Sequence, residues 1–442
     1  MKLRPRPPPA KGDHGRAGPL VLWSWAFYDW ANTGFALVVM TALFPVFFGD
    51  YWAADLTDAD STFWFGLAAS FAGVLTALAA PFLGAVADLQ ARRKALLLWF
   101  TGGGAVTTAG FALVGRGEWG WAAGLYVLSV FAFSVGNLFY DSLLRGLTSR
   151  DNRHFISAAG FSLGYFGSTL LLLLALWMVR SPGTFGLADS TAATKVAFLL
   201  TAGWWGVFAL PLAFCVPEPP ADPGPRGRLA TVARGALVEL RRTLLAAWRE
   251  RRVRWFLLAY FCYIDGINAI GKMALKLGSD LGFARSELLA ALVLAQVTGI
   301  PCALLFGYIG QRVGVRHSLF AGIAIYLAVV VYASQMSKDP LSLAGFEFAP
   351  IYLLGLLIGM AHGGMLSLSR SFFAGLIPPQ REGSFFGLYN IVGKASNILG
   401  PVLVAGVAVV TGSTQWGILS LSVFFVLGLG FLLPATAGER AR

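Results

Sequence analysis

The chain has 442 residues, of which 57% are hydrophobic and 13% are charged. A soluble fold of this size needs more polar residues to cover its surface, so the composition excludes a soluble protein and favours one covered by lipid. The net charge of +12 is spread over several loops and is not gathered on one face, which argues against a nucleic-acid partner. We therefore expect an all-α membrane protein.

Apolar stretches of about 20 residues, the length of helix that crosses the hydrocarbon core of a bilayer, recur along the chain. The polar breaks between them predict twelve transmembrane helices, at 20-48, 62-87, 95-114, 121-145, 155-179, 194-216, 254-277, 287-310, 318-336, 349-371, 383-410 and 415-435. Six precede a long polar segment, 217-253, and six follow it. We predict two pseudo-symmetric six-helix bundles, 20-216 and 254-435, joined by this linker.

Positive charge predicts the orientation, since loops that stay in the cytoplasm are rich in Lys and Arg. Most of the basic residues lie in the tail 1-19, in the linker and in alternate loops. The first apolar stretch is too long for a signal peptide and carries Asp29. We expect an integral multi-pass protein of the bacterial plasma membrane, with cytoplasmic tails at 1-19 and 436-442.

The linker begins with a proline cluster and continues with apolar residues at helical spacing among arginines. The apolar residues are Leu229, Val232, Leu237, Leu240, Leu244 and Trp248. This pattern predicts an amphipathic helix on the inner, anionic membrane surface. A basic linker without further role explains the pattern equally well.

Polar positions within the spans show that the halves are related. Asp29 and Asn32 in the first helix correspond to Asp265 and Asn268 in the seventh. The segment Gly84-x-x-x-Asp88 after the second helix corresponds to Gly307-x-x-x-Gln311, and the region of Gly164 corresponds to that of Gly393. Paired halves of this kind are typical of secondary transporters, whose binding sites lie near the bilayer midplane at the repeat interface.

Two sets of motifs carry a resemblance to a known family. The segment Gly84-x-x-x-Asp88-x-x-x-Arg92-Arg93 resembles the signature between the second and third helices of the major facilitator superfamily. Tyr28-Asp29-Trp30-Ala31-Asn32 and the stretch 376–394 are similar to motifs of the branch that includes the fungal vacuolar amino-acid exporter of autophagy and its bacterial relatives. The chain departs from that branch's pattern at Asp141, Arg145, His362 and Leu366.

The resemblance implies the major facilitator fold and transport of a small solute by alternating access, with amino acids as the leading substrate. It also implies that the loop of Asp88 and Arg92 closes the inner side of the protein. We further expect proton coupling, a monomer and no cofactor. The alternatives are export of an amphipathic or drug-like compound, and a membrane scaffold or receptor that transports nothing.

Ionisable groups inside a membrane are costly and call for a partner or a function. Asp29 and Asp265 lie well inside their helices, and either could exchange a proton. Lys394 or Lys272 could hold that carboxylate or the carboxylate of a substrate, whereas a static packing pair is the alternative. The predicted substrate and proton site comprises Tyr28, Asp29, Asn32, Asp265, Asn268, Lys272, His362, Asn390, Lys394 and Asn397.

A second set of polar residues near the predicted inner helix ends is assigned to gating: Gly84, Asp88, Arg92, Arg93, Asp141, Arg145, Arg316 and Arg370. Asp141 and Arg145 are four residues apart, which favours an ion pair within one helix over a gate. Arg370 is expected to snorkel to the surface or to gate. Arg93 and Lys94 could alternatively be charges that only set the topology.

No enzyme site is predicted. Cys215, Cys262 and Cys302 lie in or beside apolar segments without metal-ligand spacing, which favours packing. The run Gly102-Gly103-Gly104 lacks the preceding strand and the lysine of a phosphate-binding loop and lies inside a predicted helix, so close helix packing explains it.

Overall fold

The computed structural model describes residues 17–90, 92–218, 229–343, 346–379, 381–396 and 399–436. In this part of the chain, 12 helices are long and apolar enough to cross a membrane, as predicted. Their bounds are α1 Pro19–Trp52, α2 Asp58–Gln90, α3 Arg93–Gly110, α4 Trp119–Leu147, α5 Arg153–Arg180, α6 Ser190–Cys215, α7 Arg251–Asp280, α8 Arg285–Arg312, α9 Val315–Gln335, α10 Pro350–Leu376, α11 Glu382–Thr411 and α12 Thr414–Ala435.

The sides of these helices carry large apolar residues that no other helix covers. Leu78, Trp99 and Val410 are 75%, 80% and 87% exposed. Such side chains would destabilise a soluble protein, but they are the expected surface of a bundle surrounded by acyl chains. The fold is therefore that of a membrane-spanning helical bundle.

Several helices differ from the predicted spans at their ends. The first helix is longer than 20-48 because it continues, through π-helical turns at Phe35–Leu43 and Phe48–Trp52, to Trp52. The linker contains the predicted helix, Leu229–Arg249, which we call the linker helix. A short antiparallel hairpin, Leu341–Leu343 with Phe346–Phe348, lies between α9 and α10. Residues 1–16 and 437–442 of the predicted tails and the prolines of 219–228 lie outside the described residues.

Small residues bring α8 and α10 into close contact. A Cβ atom on Gly355 would lie 2.5 Å from the carbonyl oxygen of Ala291, and Gly359 meets Ala295 in the same way one turn further along. Glycines four residues apart on one helix face allow backbones to approach where lipid provides no hydrophobic drive for association. Among the three consecutive glycines of α3, Gly104 packs on Trp205, whereas Gly102 and Gly103 have open space.

The first six helices meet the last six most extensively at two pairs, α2 with α11 and α5 with α8. In the first pair, any side chain on Gly84 would overlap the carbonyl group of Gly383. In the second pair, a side chain on Gly307 would overlap Ala158. Gly84 and Gly307 are the two glycines that the sequence comparison aligned, so the two crossings between the halves use equivalent positions.

Both crossings lie towards one side of the bundle. Among the described residues this side includes Arg92 and the connections at 148–152, 313–314 and 377–379, and we call it the Asp88 face.

Candidate functional site

An interlock of charged residues holds α2 against the start of α11 at the Asp88 face. The Asp88 carboxylate accepts hydrogen bonds from the backbone N–H groups of Gly383 at 2.9 Å and Ser384 at 2.7 Å, and from the Ser384 hydroxyl at 2.7 Å. The first N–H groups of a helix have no partner within the helix, and a carboxylate there also complements the helix dipole. Asp88 therefore caps α11 from the other half of the molecule.

Arg93 completes this interlock. Its guanidinium forms ion pairs with Asp88 at 2.7 Å and with Glu382 at 2.7 Å, and the three side chains are buried. The Glu382 carboxylate also meets Nε of Arg145 at 3.6 Å. Glu382 was not singled out in the sequence, although it stands next to Gly383, the residue that Asp88 caps.

These contacts change three of the expectations for gating residues. Arg93, which could have been a charge that only sets topology, is the buried partner of Asp88, whereas the side chain of Arg92 is exposed. The predicted pair of Asp141 with Arg145 inside α4 is wrong. Arg145 instead turns to α10 and α11, where its Nη1 donates to the carbonyl oxygen of Ala374 at 2.7 Å.

In the crossing of α5 with α8, Gln311 occupies the position equivalent to Asp88. Its Oε1 accepts from the backbone N–H of His154, the second residue of α5, at 3.2 Å, and its Nε2 donates to the carbonyl oxygen of Arg150 at 2.8 Å. Gln311 therefore caps α5 as Asp88 caps α11, but without a charge. The predicted gating residue Arg316 lies with its guanidinium over the ring of Phe320.

A second layer of charge lies beneath the interlock. Arg370 is six residues before the end of α10 and Asp141 is six residues before the end of α4, a depth of about 9 Å along each helix. The Arg370 guanidinium donates to Asp29 of α1 from both Nη atoms at 3.3 Å and to Asp141 at 3.2 Å. We call Asp29, Asp141 and Arg370 the buried triad.

The surroundings of Arg370 fix it in place. Its Nε donates to the hydroxyl of Ser157 on α5 at 3.0 Å, and one Nη donates to the carbonyl oxygen of the same residue at 2.9 Å. The guanidinium lies 4.4 Å from the ring centroid of Phe161 and 5.0 Å from that of Trp25, within the range of cation–π attraction. Arg370 is 3% exposed, so the expectation that it snorkels to the surface is wrong.

Asp29 therefore has a different cation from the one expected. Arg370 binds it, and the hydroxyl of Tyr140 donates to the same carboxylate oxygen at 3.0 Å. The sequence pattern could not show this because α1, α4 and α10 are far apart in the chain. Tyr28, the neighbour of Asp29, hydrogen-bonds Thr101 at 2.7 Å and lies in the core of the first half.

Polar side chains of α1, α4 and α11 meet in a further group. Nδ2 of Asn32 donates to Oδ1 of Asn137, and Nζ of Lys394 donates to the hydroxyl of Ser134 at 3.2 Å. Oδ1 of Asn32 is buried and accepts no hydrogen bond from the described residues. Ser134 and Asn137 are three residues apart on α4, so they share a face. The Lys394 ammonium group and the Asn32 amide thus contact α4 within one turn of each other.

The residues of the second half that belong to the predicted substrate and proton site lie outside the buried triad. Asp265 is fully buried, and its Oδ1 accepts from the backbone N–H of Gly400 on α11 at 2.9 Å. The partners described for Asp29 and Asp265 thus belong to different sets of helices, and the expected common site between α1 and α7 is not seen in these contacts. Asn268 is half-buried on α7. Asn390 donates to the carbonyl oxygen of Phe386 within its own helix.

His362 lines a cavity of about 180 Å³ between α5, α7, α8 and α10, together with Gln296 and with Tyr165 of α5. Its Nδ1 hydrogen-bonds the hydroxyl of Tyr326 at 3.0 Å. Two predicted site residues cannot be placed in this way. Asn397 lies outside the described residues, and the side chain of Lys272 is likewise not described.

Twelve spans of the described residues form two related sets, joined by a charged crossing of α2 with α11 and an uncharged crossing of α5 with α8. This arrangement defines a membrane transporter of the major facilitator class. Solved structures show the same fold. The human organic anion transporter MFSD10 (TETRAN) superposes with a TM-score of 0.70 at 18% identity, over 94% of this chain and 100% of that one. The proton:xylose symporter XylE superposes with a TM-score of 0.70 at 14% identity, over 94% of each chain.

Sequence comparison identifies the family. The model of the family described as vacuole effluxer Atg22 like matches residues 57–442, and the chain belongs to this family. An uncharacterized MFS-type transporter of Bacillus subtilis, YxiO, is 34% identical over 92% of this chain and 93% of its own. Autophagy-related protein 22 of Coccidioides immitis is 29% identical over 64% of this chain, and the match spans 49% of the fungal protein. These relatives and neighbours are transporters and not enzymes.

Proposed function

We propose that this transporter couples the movement of a small solute to protons through the buried triad. The observation that supports the proposal is the charge balance of the triad, in which one guanidinium contacts two carboxylates. With both carboxylates ionised, the buried group carries one uncompensated negative charge. A proton on Asp29 or Asp141 removes that charge, and burial strongly favours the neutral assembly. The two carboxylates act as a pair that shares one proton.

Alternating access provides the change that releases the proton. Arg370 belongs to the last six helices, whereas Asp29, Asp141 and Ser157 belong to the first six. We infer that the bundles 20-216 and 254-435 rock as units, so that opening of the Asp88 face withdraws Arg370 from both carboxylates. Water then reaches the carboxylates, and the proton exchanges with the solution on that side. Closing the face again requires the neutral triad.

The solute class that we propose is amino acids, which move outward in the branch that this chain resembles. Such a solute has a carboxylate and an ammonium group on the same carbon atom. Lys394 supplies a cation for the carboxylate, and the buried Oδ1 of Asn32 supplies an acceptor for the ammonium group. An acceptor that is buried without a donor costs about 1–3 kcal/mol, which a bound ammonium group would recover.

Counterflow of radiolabelled L-amino acids in proteoliposomes tests the solute class. Lys394→Gln should lose most counterflow because the carboxylate anchor is removed. Lys338→Gln, which removes an exposed lysine next to the Leu341–Leu343 hairpin, should retain it and is the matched control. Counterflow by Lys394→Gln equal to that of the unaltered protein would exclude the proposed anchor, and absence of amino-acid counterflow in the unaltered protein would exclude the solute class.

We also propose that the Asp88 face is cytoplasmic, that both tails lie on that side of a bacterial plasma membrane, and that the protein works as a monomer. The orientation is supported by the basic residues at this face, among them Arg150, Arg312 and Arg381, since cytoplasmic loops retain positive charge. Reporter fusions at residue 442 and in the loop between α3 and α4 test it. The account requires cytoplasmic signal from the first fusion and external signal from the second.

A further inference from the structure

The linker helix, Leu229–Arg249, lies against both halves of the molecule beside the interlock. It packs on α2 of the first half and on α11 of the second. Its Thr243 is fully buried and accepts a hydrogen bond from Arg381 at 2.8 Å. Ala247, one turn further along, is also buried. One side of the linker helix therefore packs on α2 and α11 together. This packing is complete when α2 and α11 are in contact with each other.

The chain that leads to this helix is fixed to the first half as well. The carboxylate of Glu218 accepts hydrogen bonds from the backbone N–H groups of Lys94 at 2.8 Å and Ala95 at 3.0 Å. Glu218 thus caps the N-terminus of α3, which begins at Arg93. The linker is attached to the first half at Glu218 and to the second half at Thr243, on the face that the interlock closes.

The other side of the linker helix is exposed and mixes arginines with large apolar residues. Trp248 is 65% exposed and Leu244, Leu245 and Val238 are each close to half exposed. The arginines on this side are Arg241, Arg242 and Arg249. Helices of this composition bind the headgroup region of anionic membranes, where apolar side chains enter the acyl boundary and each arginine contributes to attraction by lipid phosphates.

The position of the helix brings this surface to the membrane boundary. The linker helix ends at Arg249, and the transmembrane helix α7 begins at Arg251. Nη1 of Arg254, in the first turn of α7, donates to the carbonyl oxygen of Trp248 at 3.0 Å. The last turn of the linker helix is therefore held at the level where α7 enters the bilayer.

We propose that the exposed face of the linker helix binds anionic phospholipid and that this binding stabilises the closed Asp88 face. A ligand shifts a conformational equilibrium by its difference in affinity for the two states. Separation of α2 from α11 divides the surface that orients the linker helix, so the basic face is presented to the headgroups correctly in the closed state. This inference depends neither on the identity of the solute nor on proton coupling.

The experiment measures the distance between the halves at the Asp88 face in nanodiscs of defined lipid. Spin labels at positions 150 and 312 report opening, because the backbone of Arg150 and the neighbour of Arg312, Gln311, are hydrogen-bonded across the halves. The three native cysteines are replaced first. Discs of phosphatidylcholine alone are compared with discs in which about a quarter of the lipid is phosphatidylglycerol.

Phosphatidylglycerol should increase the ratio of short to long distances in the unaltered linker, and Arg241→Gln with Arg242→Gln should reduce that increase roughly tenfold or more. The matched control, Arg116→Gln with Arg180→Gln, removes two exposed arginines from the opposite side of the bundle and should retain it. The proposal is overturned by equal distance distributions in the two lipids, or by an unchanged response in the Arg241 and Arg242 variant.

Discussion

Arg370 of α10 donates two hydrogen bonds, each of 3.3 Å, to one carboxylate oxygen of Asp29 on α1. The two residues are 341 positions apart in the chain and belong to different halves. Because the same guanidinium also reaches Asp141 and Ser157, one side chain of α10 is bound to three helices of the first half. This relationship makes the buried triad both a contact between the halves and a site whose charge changes when they separate.

The first prediction concerns the balance of charge in the buried triad. Arg370→Met should strongly destabilise the protein, by about 3–5 kcal/mol, because it leaves the negative charge of the carboxylate pair buried without a cation. Adding Asp29→Asn and Asp141→Asn removes that charge and should restore most of the lost stability. Thermal unfolding in detergent measures both variants. A triple variant as unstable as Arg370→Met would show that the arginine acts through packing and not through charge.

The second prediction concerns the crossing of α2 and α11. Gly84→Val should prevent closure of the Asp88 face, since a side chain there overlaps the backbone of Gly383. Gly73→Val on the same helix is the matched control, because no atom lies within 4 Å of a Cβ atom at that position. Labelling of a cysteine introduced in place of Ala374, which is fully buried near this face, by a membrane-impermeant reagent should rise in the Gly84 variant only. Equal labelling of the two variants would contradict the account.

The third prediction compares the two caps. Asp88→Ala removes charge-assisted hydrogen bonds to α11 and leaves Arg93 beside Glu382 alone, whereas Gln311→Ala removes two neutral hydrogen bonds. We expect the closed face to lose about 2–4 kcal/mol in the first variant and about 1 kcal/mol in the second. Spin-label distances across the Asp88 face measure both. A larger effect of the Gln311 substitution would reverse the predicted asymmetry of the halves.

The sequence predicted the fold well because its signals are local. Apolar runs predicted the number of spans, and the spacing of apolar residues in the linker predicted the helix Leu229–Arg249. The alignment of Gly84 and Asp88 with Gly307 and Gln311 identified equivalent positions of the two halves, and the structure shows that these residues form two crossings between the halves. Such repeats can be recognised in the sequence because both halves have the same spacing of residues within one helix and the loop after it.

The partners within the site were harder to predict, because each ion pair joins helices that are distant in the sequence. The spacing of Asp141 and Arg145 favoured a pair within α4, but both side chains point towards helices of the other half. The position of Arg370 near the end of α10 was equally compatible with a side chain that snorkels to the surface. Its burial depends on aromatic rings from α1, α4 and α5, which are distant from Arg370 in the sequence. Glu382 carried no pattern of its own.

The fourth prediction concerns Asp265, whose role in proton exchange remains a prediction from the sequence. Asp265→Asn retains an oxygen that can accept from the N–H of Gly400, so the fold should be preserved while the charge is lost. We expect solute accumulation driven by a pH gradient to fall to background if Asp265 exchanges a proton. Accumulation at the level of the unaltered protein would assign this residue a structural role in joining α7 to α11.

The most direct test of the central claim separates proton coupling from solute movement at Asp29 and Asp141. In proteoliposomes, the unaltered protein should accumulate labelled L-amino acids under an imposed pH gradient and should also exchange them without one. Asp29→Asn or Asp141→Asn fixes the triad in its neutral form, so the account predicts that exchange persists and gradient-driven accumulation is lost. Accumulation by both variants at the unaltered level would contradict the assignment of the buried triad as the proton site.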